Sequence, residues 1–380
     1  MIFLKRRALM TRASFNYKTV NGIESITLEN CVETRFKRLE LLGNSAQGEN
    51  PSIESPKEIK NSGKYDEVSG KYVIDVSVTG KNLIDVDELR NENGYLKSSF
   101  TSSTKIKPFK VESGKKYLLV AKGKPLKTGI YSSMYLGEDD LKYMDLNTYV
   151  LTTGTGFVMF SENKEFKKIL IARKTTTVTR VIIHGQNEIK DAYDVEELGL
   201  FEMLDDDFQS VIYEPYKEPQ TVQLQLDEPL RGIGEYKDVV TKDGIVRNIL
   251  QVRIADYLQK DIYGKPGGRY IFSAVPNCYI NYDRKRCMSN VGFTTNQENI
   301  AYMPVPYLGN FKLAVSDDDT VETIREKVKD VVVAYTVKEP VLEPFENSLD
   351  SLHANDGTTI ITVDSGEVET GIEVEYAVKE

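Results

Sequence analysis

The stretch GIYSSMYLGEDDLKYMDLNTYV, residues 129–150, sets Tyr131, Tyr135, Tyr143 and Tyr149 among serine, aspartate and asparagine. A tyrosine offers an apolar ring face and a hydroxyl, so this mixture suits stacking on sugar rings with hydrogen bonds to their hydroxyls. It equally suits tyrosines that cover a β-sandwich core with their hydroxyls at the rim, and sugar sites more often use tryptophan, which this chain lacks. A cationic set stands nearby: Lys105, Lys107, Lys110, Lys115, Lys116, Lys122, Lys124 and Lys127, then Lys168, Arg173, Lys174 and Arg180. On one shared face these side chains would attract phosphate-bearing polymers such as teichoic acids; strand alternation could instead scatter them as solvated positions. The candidate glycan-binding residues are therefore Tyr131, Tyr135, Tyr143, Tyr149, Arg173 and Arg180.

No catalytic constellation emerges. The chain has no G-x-S-x-G elbow, no H-E-x-x-H and no GxxxxGK[ST] loop. Its two histidines, His184 and His353, stand in unrelated contexts, which leaves neither a triad nor a zinc site. Cys31, Cys278 and Cys287 are odd in number and lack a CxxC spacing, so they read as buried or neutral thiols. The glycine clusters TTGTGF (152–157) and GKPGG (264–268) lack the strand and helix of a phosphate cradle and read as hairpin turns. Of two Asp triplets, 205–207 reads as a turn and 317–319 as a helix start. The expectation is a non-enzyme without cofactor or metal; a glycan depolymerase working through two facing carboxylates is the minor alternative.

Charge divides the chain. The net charge of −9 argues against general nucleic-acid binding. From Lys81 to Lys190 there are 19 Lys and Arg against 12 Asp and Glu, a local +7, which leaves −16 on the remainder. A basic middle between acidic flanks suggests a separate module. No apolar run approaches the roughly 18 residues of a membrane span, and MIFLKRRALM has its apolar residues before the basic ones, so it is expected to be retained rather than to act as an export signal.

The positioning elements follow from periodicity. Most of the chain alternates with period two and is rich in Val, Ile, Thr and Tyr, as in KYVIDVSVTG, which puts Tyr72, Ile74, Val76 and Val78 on one face. Strands are expected over 13–19, 24–29, 35–42, 103–111, 115–122, 147–153, 156–161, 168–173, 176–184, 220–226, 245–254, 269–274, 331–337, 358–363 and 371–378. The fold class is all-β: a β-sandwich (jelly-roll) module between N- and C-terminal β-rich segments, with one short helix near 319–330. In SDDDTVETIREKVKD, Asp319 is placed to cap that helix with Glu322 completing a capping box; a second short helix is possible at 85–91. The expected organisation is an N-terminal β segment over 1–42, an extended proline-containing connector over 43–70 and the sandwich over 71–218. A second β domain with the helix then covers 219–345, and a C-terminal β segment over 346–380 is a candidate to pack with 13–42. The prolines of YEPYKEPQ (213–220) and KEPVLEPF (338–345) mark two exits from strand structure.

Several stretches, in order, carry a resemblance. GNSAQGENPSIESPKEI (43–59) resembles the G-N-S-x-Q-x-x-x-P-x-x-x-x-P-x-x-I segment of minor tail, baseplate and receptor-binding proteins of phages and prophages of Gram-positive bacteria. VTGKNLID, PFKVESGKKYLLVA and VIYEPYKE are similar to the start, an inner hairpin and the exit of their carbohydrate-binding-like jelly-roll module. PLRGIGEYKDVVTKDGIVRNI resembles the signature that follows it, and VVVAYTVKEPVLEPF and SLHANDGTTIITVDSGEVETGIEVEYAV resemble the closing segments. The resemblance spans about 24–379 and matches loosely over 85–100 and 124–150. It implies a homotrimeric virion protein at the tail tip or baseplate, in contact with other tail or baseplate proteins. Such a protein assembles in the host cytoplasm without a signal peptide and without membrane insertion. It either grips host cell-wall polysaccharide or teichoic acid, or serves as an adaptor whose jelly roll is purely structural.

Overall fold

The alternation that runs through the sequence becomes antiparallel sheet almost throughout. In the computed structural model the described residues are 54% strand and 8% helical, an all-β fold with one α-helix among them. The structure describes residues 9–15, 23–96, 104–125, 132–137, 151–152, 165–185, 193–203, 211–279, 284–293, 301–346 and 348–378. The strand expected over 156–161, the Asp triplet 205–207 and, apart from Thr152, the turn at 152–157 lie outside these residues. The chain divides into two units: Thr79–Pro219 with Gly357–Ile360, and the remainder.

The 79–219 unit holds two antiparallel sheets. One orders Ser132–Gly137, Thr176–Gly185 and Thr104–Val111; the other orders Leu151–Thr152, Glu165–Ala172, Lys116–Pro125 and Tyr193–Glu202. Both give side chains to one core, with Ile106, Phe109, Val111 and Val178 from the first and Tyr117, Leu119, Leu170, Leu198 and Leu200 from the second. Apart from the pair Leu151–Thr152 and Glu165–Ala172, the described strands consecutive in sequence change sheets, as a sandwich with crossing connections requires. The run YLLVA does not alternate in polarity because its strand is buried on both faces: Leu118 and Val120 pack with Phe201, and Val211 and Tyr213 lie against them. Asn82 locks this unit near its start. Its Oδ1 accepts the N–H groups of Ile84 and Leu200, each at 3.1 Å, and its Nδ2 donates to the carbonyls of Leu198 at 3.3 Å and Glu214 at 3.1 Å.

The other unit is built on a long sheet in which, among the described residues, both chain ends lie near the middle. Gly371–Val378 pairs with Arg38–Leu42, with Leu9–Phe15 and, through Cys31↔Val378, with Ile23–Cys31. Lys71–Thr79 and Gln220–Leu226 pair antiparallel from Tyr72↔Leu226 to Val78↔Gln220. Ile74, Val76 and Val78 are fully buried, as their alternation requires, and Tyr72 is partly buried against the same core. Over 43–70, read from sequence as an extended connector, Ser45–Gln47 pairs with Ile59–Asn61, and Lys64–Asp66 pairs with the start of Lys71–Thr79.

These strands converge on one buried charge. Asp238, fully buried, accepts the N–H groups of Arg231 at 3.0 Å, Asn248 at 2.8 Å and Ile249 at 3.0 Å, and Arg247 Nη1 at 3.4 Å. Burial pushes its carboxyl up from the usual aspartate value, against the opposing pull of Arg247. Arg247, 2% exposed, also donates to the carbonyls of Pro229 and Glu228 and to Glu343. Beside it two chain segments cross at two glycines. A Cβ on Gly43 would lie 2.6 Å from the Arg231 backbone, and one on Gly232 would lie 2.2 Å from the Gly43 carbonyl. Asn44 Nδ2 donates to the Glu369 carbonyl at 3.1 Å, Ser45 Oγ accepts the Gly232 N–H at 3.1 Å, and Gln47 Nε2 donates to the Ser289 carbonyl at 2.7 Å. The G-N-S-x-Q spacing thus joins the first 50 residues to three later parts of the chain.

Two details correct the sequence reading. The helix Val321–Lys327 is capped by Thr320, whose hydroxyl accepts the Thr323 N–H while the Thr323 hydroxyl takes the Thr320 N–H. Asp319 is instead buried and bonded to Lys327, Tyr302 and the Ser316 N–H. KEPVLEPF does not end a strand, since Val332–Glu343 runs through Pro340. The pairing with Gly244–Arg253 shifts register between Arg247↔Val341 and Ile249↔Thr336, and Pro340 sits in that irregularity, where its missing N–H breaks no ladder bond. The 3₁₀ turn Val86–Leu89 falls within the short helix expected at 85–91.

Arg247→Ala leaves Asp238 as an unpaired buried carboxylate and is expected to cost about 3–5 kcal/mol, measured by urea denaturation; a loss within about 0.5 kcal/mol, ordinary for a surface site, would contradict the role given to this pair. Burial disfavours the Asp319 carboxylate, but Lys327, Tyr302 and the Ser316 N–H outweigh it, so its pKa lies below the usual value. A depressed folded pKa contributes stability above the unfolded value, and that contribution is lost as pH falls through the folded one. The stability gap between the wild type and Asp319→Asn should accordingly be widest near neutral pH and narrow below about pH 4; a gap independent of pH would exclude this account.

Candidate functional site

The sandwich carries the residues singled out from sequence, and the structure places them unevenly. Tyr131, Tyr143 and Tyr149 lie outside the described residues. Tyr135 stands on Ser132–Gly137, its backbone opposite Ile182, and Arg180 stands opposite Gly137 on one side and Lys105 on the other. The fold therefore brings Tyr135 and Arg180 onto neighbouring strands of one sheet. Arg173 is exposed in the turn between Glu165–Ala172 and Thr176–Gly185, which Ser113 holds by donating its N–H to Thr175 Oγ1 and its hydroxyl to the Arg173 carbonyl.

The lysines do not form one open cationic face. Lys107 lies between Asp85 and Glu218 and over the Tyr216 ring, and the two carboxylates raise its pKa above the usual lysine range. Lys115 meets Glu112 at 3.1 Å and Glu202 at 2.7 Å, Lys122 meets Glu196 at 2.8 Å and Lys124 meets Asp194 at 3.4 Å. Burial pushes the Lys168 ammonium down. Lys105 and Lys110 are exposed on Thr104–Val111, and Lys127 lies outside the described residues.

The other unit offers two surfaces that the sequence reading did not single out. The first is a recess of about 750 Å³ lined by residues of Ile59–Asn61, Lys64–Asp66 and the turn at Gly366–Glu367. Tyr65 stands on it with 59% of its surface exposed, edge-on to Tyr72 with centroids 5.2 Å apart. Arg231 also lines it, 6% exposed, with Nη1 on Glu228 at 2.8 Å; its Nε is closed to water and has no acceptor among the described residues. The second surface is an aromatic run near the GKPGG turn. Tyr263 and Tyr270 stack at 5.8 Å, Phe272 meets both, Tyr307 meets Phe272 at 5.4 Å, and Lys312 lies 4.4 Å from the Tyr270 centroid. A legible signal existed for each: K-Y-D and K-Y-V on either side of a glycine turn at 64–73, and Y-G-K-P-G-G-R-Y-I-F at 263–272. Reading 43–70 as a connector hid the first, and reading GKPGG only as a turn hid the second.

No protein-family model matches the chain, and no curated protein matches it. Among solved structures it is similar to the adhesin domain of Epf from Streptococcus pyogenes, at 10% identity over 92% of this chain and 97% of that one. The TM-score of that pair is 0.18, too low to establish a shared topology.

The aromatic run should behave as a coupled unit. A double-mutant cycle on Tyr263→Ala and Phe272→Ala, read by urea denaturation, is expected to give a coupling of about 0.5–1.5 kcal/mol; strict additivity would mean that the rings lie together without stabilising one another.

Proposed function

We propose that this chain is a structural protein of the tail tip or baseplate of a phage, or of a phage-tail-like particle, of Gram-positive bacteria, and that its sandwich binds host cell-wall polysaccharide. The observation that carries the reading is the way the sandwich is inserted. Val78 and Gln220, the residues on either side of it, are register partners on paired strands, so 141 residues leave and re-enter the sheet at one point. A module attached in this way can vary in its loops without disturbing the sheet that holds it. The ordered sequence motifs support the same reading, because GNSAQ, PLRGIGEYKD and the closing segment join one another around Asp238 and Gly43. Such joining suits a part held under load in an assembled particle.

A second reading, an adaptor with a purely structural sandwich, draws on the pairing of Lys107, Lys115, Lys122 and Lys124 with carboxylates, which reduces the positive charge open to a polyanion. Sedimentation with purified cell walls from a panel of Gram-positive bacteria separates the two. The full chain should co-sediment with at least one wall, and a chain in which 79–219 is replaced by a Gly-Ser turn should lose most of that binding. Failure to bind any wall overturns glycan binding in favour of the adaptor, and release of reducing sugar would overturn both in favour of a depolymerase. Antibody labelling of intact particles should mark the tail tip; label on the capsid would reject the assignment to the tail.

A further inference from the structure

We infer that the edge strand Gln220–Leu226 is a self-association surface, on which a second copy of this chain pairs antiparallel about a two-fold axis at Gln223. This does not rest on what the sandwich binds. The strand ends the long sheet: it pairs with Lys71–Thr79 on one side, and among the described residues no strand pairs with its other side. The open side therefore presents a row of backbone N–H and C=O groups, a template for another strand. The turn Ser348–Ser351 and the residues after it meet the strand on a face rather than along that edge. Gln220, Val222, Leu224 and Leu226 alternate onto this face, where Gln220 Nε2 donates to the His353 carbonyl at 3.2 Å and its Oε1 accepts the His353 N–H at 2.7 Å. Leu349 and Leu352 share the core with Leu224 and Leu226 on the same side.

What this edge lacks points to an occupant. Sheet edges are ordinarily blunted by charge, proline, a bulge or shortness, and other edges of this chain show each device. Thr104–Val111 carries Lys105, Lys107, Lys110 and Pro108, and its pairing shifts register. Tyr193–Glu202 carries Asp194, Glu196 and Glu197 with a register shift among them. Leu9–Phe15 includes Arg12, Pro304–Tyr307 includes Pro304 and Pro306, and Cys287–Ser289, at the other end of the long sheet, has three residues. Ser132–Gly137 is uncharged too, but it is shorter and runs into chain outside the described residues. Gln220–Leu226 has seven residues, no charge, no proline and an unbroken register. Its own sequence is the complement that fits it. An axis through Gln223 overlaps all seven residues and sets Gln223 opposite the partner's Gln223 and Thr221 opposite the partner's Gln225. Thr221, Gln223 and Gln225 are the exposed row, and an amide that both donates and accepts meets its own copy without conflict. On the other face Val222 meets the partner's Leu224, which extends the apolar layer. The flanking charges, Glu218 and Asp227, lie outside the strand, so no like charges oppose one another within it.

Sedimentation velocity of the full chain over a concentration series tests the surface. The mass should rise from that of one copy to that of two and stop there, because the pairing closes on itself. Thr221→Lys combined with Gln225→Lys, both at exposed positions, sets lysines opposite one another across the axis and should weaken the pairing by about ten-fold. Thr221→Glu combined with Gln225→Glu should do the same. An equimolar mixture of the two doubly substituted chains should recover the two-copy mass, since each lysine then faces a glutamate; chains that had failed to fold could not recover it. A single-copy mass at every concentration, the three-copy mass of the trimer that the sequence resemblance implies, or continued growth beyond two copies would each overturn the inference. So would doubly substituted chains that associate like the wild type, or a mixture that associates no better than its components. Wall binding by the single-copy form leaves the sandwich reading standing whichever way this test falls, so the two are told apart.

Discussion

A carboxylate with no access to water is the constraint around which the sheet-bearing unit is arranged. Asp238 can remain inside only if its lone pairs are all met, because an ion left unpaired in a low-dielectric interior costs several kcal/mol. Three backbone N–H groups and Arg247 meet them. Arg247, equally buried, uses Nε, Nη1 and Nη2 on Glu343 and on the carbonyls of Pro229 and Glu228. These partners come from 228–249 and, 96 residues beyond Arg247, from Glu343, so the pair acts as a register mark: a strand displaced by one position would leave an N–H or a charge unmatched. Hydrophobic burial of Ile74, Val76, Ile361 and Val363 supplies most of the driving force, but apolar faces alone do not distinguish one register from the next slip of two residues.

The crossing of residues 43–45 with 230–232 depends on that register. Gly43 and Gly232 face backbone atoms at distances no side chain tolerates, so these positions are glycine because two main chains pass in contact, not because the chain turns there. Asn44 and Ser62 then both reach the Glu369 carbonyl, which ties the crossing to the turn before the last strand. Asn82 solves the same problem in the sandwich with an uncharged group: one amide joins the residues just inside its entry to Glu214, five residues before its exit. The sandwich is thus closed near its boundary by a polar side chain whose bonds are fully used.

Period-two alternation made the strands legible, and its failures were legible too once burial was known. Lys116–Pro125 lacks polar alternation because both of its faces are covered, and Val332–Glu343 tolerates a proline because the ladder is irregular there. The helix cap was misplaced by one residue because Asp, Asp, Asp and Thr are all competent caps, and only the reciprocal bond with Thr323 decides among them. The site was less legible. Counting lysines gave a basic module, but cross-strand and turn contacts to Glu196, Glu202 and Glu218 cancel much of that charge, and those pairings follow from sheet order, which composition does not encode. The recess was hidden for a related reason: Tyr65, Arg231 with Gln251, and Glu367 come from three distant parts of the sequence, and only the tertiary fold brings them together.

The recess and the fold therefore share residues, and this limits how the recess can vary. Arg231 contributes its backbone N–H to Asp238 and its main chain to the contact with Gly43, while its side chain lines the cavity. The backbone duties are indifferent to side-chain identity, so they keep position 231 in place without requiring arginine. What would require arginine is the side chain alone, and in the absence of an acceptor a buried guanidinium lowers stability relative to a smaller or apolar residue. The fold meets the needs of Asp238 and Arg247 this completely, yet leaves Arg231 Nε without an acceptor a few residues away, a state that Thr336 Oγ1 and Thr370 Oγ1 share among the described residues, so full polar satisfaction is concentrated on the buried charge pair.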